Sequence, residues 1–347
     1  YGGRSAAFHF REAIVAALCE LEARRYRRVD PALAGAFKRQ AHLSALAMRR
    51  WVLDMDPWRH IQNGFPPDAL HGTDSYGNYG VYSLLISSFL GLAALFADES
   101  IPEAPCPADI GGFVLHLAPA FHKVFAHASG TYAGVDLNAD PHYDATGLGR
   151  FCRKGVPLEL GAAMPLPARA GDKGSDAIRM GPGQRPPDTA MAVGPEVWSK
   201  GRWRPLAAAS GAGVRSRFRR LRERAGAVAF EVRHLIGGGR VISQRYGLAE
   251  GKLTILCTNR IRGRAPKAER VRFVVPLLVT DGLDTSRIEL ARGMASVDYR
   301  GHRFVVEFDP ACRATLAGES YANRHGAYRA LRIESDSNDI AVTLRLA

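Results

Sequence analysis

The chain has 347 residues, with 47 lysines and arginines against 34 aspartates and glutamates, a formal net charge of +13. At 46% hydrophobic residues it can bury a large core, which excludes a disordered or fibrous chain, and its length predicts two domains. The five cysteines (Cys19, Cys106, Cys152, Cys257, Cys312) form no CxxC pair, which excludes a disulfide scaffold and a thiolate zinc knuckle.

The first hundred residues carry a helical period. Phe8, Ile14, Val15, Leu18, Leu21 and Tyr26 recur at steps of three and four, which predicts one buried stripe on a helix between Ser5 and Arg28. Asp30 is placed as a cap and Pro31 as a first-turn residue of a second helix, with Leu33, Phe37, His42, Leu46, Trp51 and Leu53 on its stripe. A polar, aromatic-rich loop from Asp54 to Asn78 leads to a third helix, Tyr79 to Ala97. The apolar run Val81 to Phe96 is too short to cross a bilayer and is broken by Ser83, Ser87, Ser88 and Gly91. Helices of this kind joined by loops suggest stacked hairpins, as in a bundle or an α/α toroid.

After Pro102 the period falls to two. Phe113-Leu115-Leu117, Val228-Phe230-Val232, Leu253-Ile255-Cys257, Val271-Phe273-Val275, Phe304-Val306-Phe308 and Ile340-Val342-Leu344-Leu346 each predict a strand with one face in a core. Gly237-Gly238-Gly239, Asp281-Gly282 and Arg300-Gly301 separate the runs as turns. Many strands without intervening helices predict a large antiparallel sandwich over 101–347, preceded by a helical part over 1–100. Residues 161–213, rich in Gly, Pro and Ala, read as a long excursion from that sandwich.

Two stretches concentrate groups that can bind or move protons. His71-Gly-Thr-Asp-Ser-Tyr-Gly-Asn-Tyr79 lies where the third helix starts; its bland reading is a capping region. Asp136-Leu-Asn-Ala-Asp-Pro-His-Tyr-Asp-Ala-Thr-Gly-Leu-Gly-Arg150 follows a strand at Gly130 to Asp136 and supplies a base, a phenol and a fixed cation. Read blandly, it is an Asx- and Gly-turn connection. His116, His122 and His127 lie on or near strands, where histidines most often pack. No spacing matches a zinc motif, so no cofactor is implied, and a structural divalent metal stays open with no residue assigned. The run Arg215, Arg217, Arg219, Arg220, Arg222, Arg224 is the strongest basic cluster; no recognition motif and no interleaved set of stacking aromatics accompanies it, so a solvated strand edge is favoured over nucleic acid. The chain starts at Tyr1 without a methionine or leader, which suggests a trimmed piece of a longer protein. Periplasmic, secreted and cytoplasmic locations all stay open, as does the oligomeric state.

Ser75-Tyr-Gly-Asn-Tyr79, Ile110-Gly-Gly-Phe113, Phe121-His-Lys-Val-Phe125, Asp140 to Arg150 and Val275-Pro-Leu-Leu-Val-Thr-Asp-Gly282 together resemble the heparinase II/III-like polysaccharide lyases. The resemblance covers most of the chain after residue 70. It implies an α/α toroid, here only its C-terminal part, followed by an antiparallel β-sandwich, and an acidic polysaccharide or oligosaccharide as substrate. It further implies β-elimination beside a uronic acid, in which the carboxylate is neutralised, a proton is removed from the adjacent carbon, and the departing oxygen is protonated. Tyr79, or Tyr76, matches the family's toroid tyrosine by position, and His142 and Tyr143 its sandwich-side residues.

A tyrosine of ordinary pKa about 10 acts as base only beside cations, whereas a histidine titrates near neutrality. On this basis His142 is assigned as base or carboxylate neutraliser, Tyr79 as proton-transferring phenol with Tyr143 beside His142, and Arg150 as clamp. His71, Tyr76, Asn78 and His122 would orient substrate. Three other readings remain. A toroid hydrolase would pair Asp74 with Asp140 or Asp144. A non-catalytic acidic-glycan binder would bind without turnover, and a nucleic-acid binder would use the Arg cluster.

Overall fold

The computed structural model describes residues 10–49, 52–53, 59–60, 72–73, 83–139, 145–161, 178–179, 192–209, 211–261, 270–323 and 326–347. Its elements, in chain order, begin with α1 (Phe10–Tyr26), α2 (Pro31–Arg49), β1 (Val52–Leu53), β2 (Arg59–His60), β3 (Gly72–Thr73), α3 (Ser83–Phe96) and α4 (Pro107–Ile110). β4 (Phe113–His116), β5 (Lys123–Ala128), β6 (Thr131–Asp136), β7 (Gly147–Arg153), α5 (Leu158–Gly161), β8 (Ile178–Arg179), β9 (Gly194–Ser199) and β10 (Arg202–Pro205) follow. The remainder is β11 (Arg215–Arg224), β12 (Ala227–Ile236), β13 (Arg240–Ala249), β14 (Lys252–Ile261), β15 (Val271–Thr280), β16 (Arg287–Ala291), β17 (Met294–Tyr299), β18 (His302–Phe308), β19 (Arg313–Asn323), β20 (Gly326–Ser335) and β21 (Asp339–Leu346).

The second helix starts where the sequence places it, although Leu53, expected on its stripe, belongs to β1. The Asp30 carboxylate accepts the Leu33 amide at 3.0 Å, so Asp30 caps α2 ahead of Pro31. The buried face, however, is not the expected stripe. α1 packs against α2 with Ala13, Ala16, Ala17 and Ala23 of the one and Ala34 and Ala41 of the other buried, while Val15, Leu18, Leu21, Leu33, Leu46, Leu84, Leu92 and Leu95 are exposed. The reason is close approach: small side chains let two helix axes come together, and the larger ones are left on the far side. Lys38, buried between the elements, donates to Glu20 at 3.2 Å and to Glu99 at 3.0 Å. A Cβ at Gly35 would stand 2.7 Å from the Pro102 carbonyl oxygen, so the chain after α3 crosses α2 at the one residue that admits it. The structure shows helices in contact; it does not show the expected toroid of helical hairpins.

Beyond residue 110 every described strand pairing is antiparallel. An eight-stranded sheet in the order β11-β12-β13-β14-β21-β18-β17-β16 forms one layer, with β21 at its centre. The second layer is a four-stranded sheet, β4-β5-β6-β7, and a five-stranded sheet, β10-β9-β15-β20-β19, joined by a bridge between Leu148 and Val193. The four-stranded sheet lies on β12 and β13, and the five-stranded sheet reaches β21 and β16. One core runs through all three, including Phe151, Phe230, Tyr246, Phe273, Phe304 and Leu344. Within the stretch read as an excursion, β9 and β10 form a hairpin that inserts Val197 into this core.

The inward residues of β12, β14, β15, β18 and β21 are those the alternation named. In β4 the register is the reverse: Val114 is buried while Leu115 and Leu117 are exposed. Val114 is held there by polar bonds, its amide donating to Glu223 at 2.6 Å and its carbonyl accepting from Arg220 at 2.9 Å. The core also holds polar groups. His234 meets Ser216 Oγ through Nδ1 at 2.9 Å, and the Gln244 amide and Tyr246 hydroxyl are buried without a protein partner.

Candidate active site

The proton-transfer residues taken from the sequence fall mostly outside the described residues. This holds for His71, Asp74, Tyr76, Asn78 and Tyr79, and for Asp140, His142, Tyr143 and Asp144. Arg150 and His122 are described, as are both ends of the loop that carries His142 and Tyr143.

That loop has a clamped base. The Leu137 amide donates to the His122 carbonyl at 2.8 Å, and the Ala139 amide to Thr146 Oγ1 at 3.1 Å. Thr146 in turn donates from its amide to Ala207 at 3.1 Å and from its hydroxyl to Ala209 at 2.5 Å. Asp136, 2% exposed, pairs with Lys123 and accepts the Asn138 amide at 3.0 Å. His122 is exposed beside this base, at the start of β5.

Arg150 lies in β7 opposite Gly134 of β6, and Phe151 next to it points into the core. Strand alternation therefore turns Arg150 to the face away from the eight-stranded sheet. The cross-strand register puts Phe113, Phe125, His127, Tyr132 and Cys152 on that same face. His127 stacks on Phe113 at 5.7 Å, and Phe121 tilts against Phe125 at 6.3 Å. Burial lowers the pKa of His127, which keeps it a neutral packing ring, as expected from its place on a strand. His116 is likewise packed, 4.6 Å from the Phe218 ring, and lowered by burial.

The feature that sequence reading missed is Glu12 of α1. Burial raises its pKa, the charges of Arg11 and Arg150 oppose that rise, and its Oε2 is buried without a hydrogen-bond partner. Arg150 is thus within electrostatic reach of a helix carboxyl, and the seam between α1 and the outer face of the four-stranded sheet is charged. The same guanidinium opposes the rise that burial gives the Cys152 thiol and the Tyr328 phenol. In the sequence, Glu12 had no signal beyond its position on the alanine face of α1. Among the described residues, no group of three His, Cys, Asp or Glu side chains is placed to hold a metal ion.

No family model and no curated protein matches the sequence. Among solved structures, the chain is similar to a mutant of the heparan sulfate lyase HepC from Pedobacter heparinus, at 10% identity and a TM-score of 0.47. That likeness covers 96% of this chain and 52% of the other. A mutant of the chondroitin AC lyase from Streptomyces coelicolor A3 is similar at 14% identity and a TM-score of 0.37, over 76% of this chain and 36% of that one. A putative aldose 1-epimerase from Escherichia coli K12 is similar at 11% identity and a TM-score of 0.35, over 64% of this chain and 98% of that one. The chain spans about half the length of the heparan sulfate lyase chains. None of these likenesses assigns a residue, a substrate or an activity to this chain.

Proposed function

We propose that the chain is part of a polysaccharide lyase that cleaves an acidic, uronate-containing polysaccharide by β-elimination. The observation that carries this reading is the seam at Arg150: a fixed cation and an aromatic row on the outer face of the four-stranded sheet, facing α1, beside the clamped base of the His142–Tyr143 loop. Aromatic faces stack on sugar rings, and a guanidinium matches a carboxylate in a planar fork. Two of the motifs that resemble the heparinase II/III-like lyases, Ile110-Gly-Gly-Phe113 and Phe121-His-Lys-Val-Phe125, run into β4 and β5 of this sheet, while the motif that starts at Val275 belongs to β15 of the five-stranded sheet.

The exposed leucines of α1, α2 and α3 support the finer reading, in which these helices are the last part of a toroid over 1–100 and the sandwich spans 101–347. A helix that hides alanines and shows leucines has an apolar side suited to further helices.

In the reaction, Arg150 neutralises the uronate carboxylate, which acidifies the proton on the adjacent carbon. His142 takes that proton and Tyr79 returns one to the departing glycosidic oxygen. Tyr143 supports His142, while His71, Tyr76, Asn78 and His122 hold the sugar. The products are a new non-reducing end with a carbon–carbon double bond and a freed hydroxyl.

The test is turnover by the full-length protein on a panel of acidic polysaccharides, followed by the ultraviolet absorption of the unsaturated product. Tyr79→Phe and His142→Ala are each expected to lower kcat by about 100-fold or more. Arg150→Ala is expected to lower it with a raised KM. Saturated products with new reducing ends would replace this reading by hydrolysis, and unchanged turnover in a variant removes that residue from the mechanism.

A further inference from the structure

The arginine run has a geometry that a solvated edge does not explain. β11 is the edge strand of the eight-stranded sheet, and charges along an edge resist unwanted strand pairing. That accounts for Arg222 and Arg224. Arg217 and Arg219 instead point with Arg233 and Glu231 onto the outer face of the sheet, where they and Phe218 line a depression of about 240 Å³. In the register Arg217 stands directly opposite Arg233, Arg219 opposite Glu231, and Glu231 opposite Arg245. Glu231, 8% exposed, accepts from Arg219 and Arg233, each at 2.9 Å. One carboxylate thus bonds two guanidiniums, with Arg217 and Arg245 beside it in the register, and Arg217 and Arg233 face each other across the strands as like charges. Such a pairing is destabilising unless something negative lies between them.

We propose that this depression is a second anion-recognition site, which takes a sulfate or carboxylate substituent of an acidic glycan at a distance from the Arg150 seam. The choice of a glycan rests on the lyase reading; the choice of an anion does not. The space is smaller than the pockets of about 300–1,000 Å³ that enclose a drug-sized ligand, so it suits one anionic sugar unit of a chain lying across the sheet. Its single aromatic, Phe218, is turned inward against His116 at 4.6 Å and Phe230 at 6.1 Å. It offers no ring on which a nucleic-acid base could stack.

The experiment measures equilibrium binding of the intact protein to a heparin hexasaccharide and to a DNA duplex of equal charge, across a salt series. Arg217→Ser/Arg233→Ser is expected to weaken heparin binding by at least about 10-fold and to flatten the slope of log K against log salt by about two, the number of cations removed. Arg292→Ser, an exposed arginine on another turn, is the control and should change nothing. Arg217→Lys keeps the charge but not the fork, and should lose part of the affinity. Glu231→Gln removes the competing carboxylate and should tighten binding, whereas a purely structural cluster would lose thermal stability with no gain in affinity.

Heparin affinity unchanged in the double variant overturns the site. Duplex DNA bound more tightly than heparin through the same two arginines overturns the glycan in favour of nucleic acid. Turnover is read separately, on a substrate too short to reach from Arg150 to this depression. Heparin binding that depends on Arg217, in a protein that cleaves no glycan, keeps the site and removes the lyase reading. Cleavage with Arg217-independent binding does the reverse.

Discussion

The helical part and the sandwich solve burial in opposite ways. The sandwich hides its large side chains, with Phe151, Phe230, Phe273, Phe304 and Tyr246 fully enclosed in one core. The helices hide alanines and one glycine, hold only small separate clusters such as Ala13 with Met48 and Ile86, and display their leucines. Burial energy scales with the apolar area removed from water, so the sandwich carries its own stability and the helices depend on neighbours.

The comparison can be broken most severely in the sandwich. Phe273→Ala leaves a cavity at a fully buried site and should cost about 3–5 kcal/mol in denaturant unfolding. If the loss is under about 1 kcal/mol, the core is not the support described.

Acid should act on the same region. Burial lowers the His234 pKa to about 4, against an ordinary value of 6.5. Between these values the unfolded chain takes up a proton that the folded one refuses, so stability falls as pH drops from about 6.5 to about 4. The loss is on the order of 3 kcal/mol, and His234→Gln should abolish it. Urea midpoints measured at pH 7 and pH 4.5 for both proteins decide the matter.

A smaller effect is expected in the helices at Gly35. Gly35→Ala puts a methyl group 2.7 Å from the Pro102 oxygen and should cost about 1–3 kcal/mol. Loss of protection of the α2 amides in hydrogen exchange would accompany it.

The smallest effect sharpens the contrast. Leu84, 82% exposed, should tolerate Leu84→Ser within about 0.5 kcal/mol in this chain. In a longer protein whose further helices cover that face, the same substitution should cost several times more, and an equal cost in both would remove the toroid proposal.

Strands were legible because alternation reports which face is wet: Val228-Phe230-Val232 and Ile340 to Leu346 lie as read. The reversed β4 was not, since Val114 is set inward by Glu223 and Arg220, more than a hundred residues further along. Helix faces were misread because leucine periodicity marks an apolar side without saying whether anything covers it. At the site, Arg150 was legible as a fixed cation after a strand. Glu12 was not, because its raised pKa comes from burial against a different part of the chain.

The position of β21 bears on how the protein is made. Asp339–Leu346 pairs with β14 on one side and β18 on the other, so it is the central seam of the eight-stranded sheet. During synthesis β11 to β14 can form a meander as they emerge, and β16 to β18 a second one, but the two halves have no strand between them until residue 346 leaves the ribosome. Vectorial synthesis therefore leaves two open edges waiting, at β14 and at β18, and the sheet closes in a late step that joins distant segments. A nascent chain stalled before Asp339 would hold both edges bare, and that is when it would most need a chaperone.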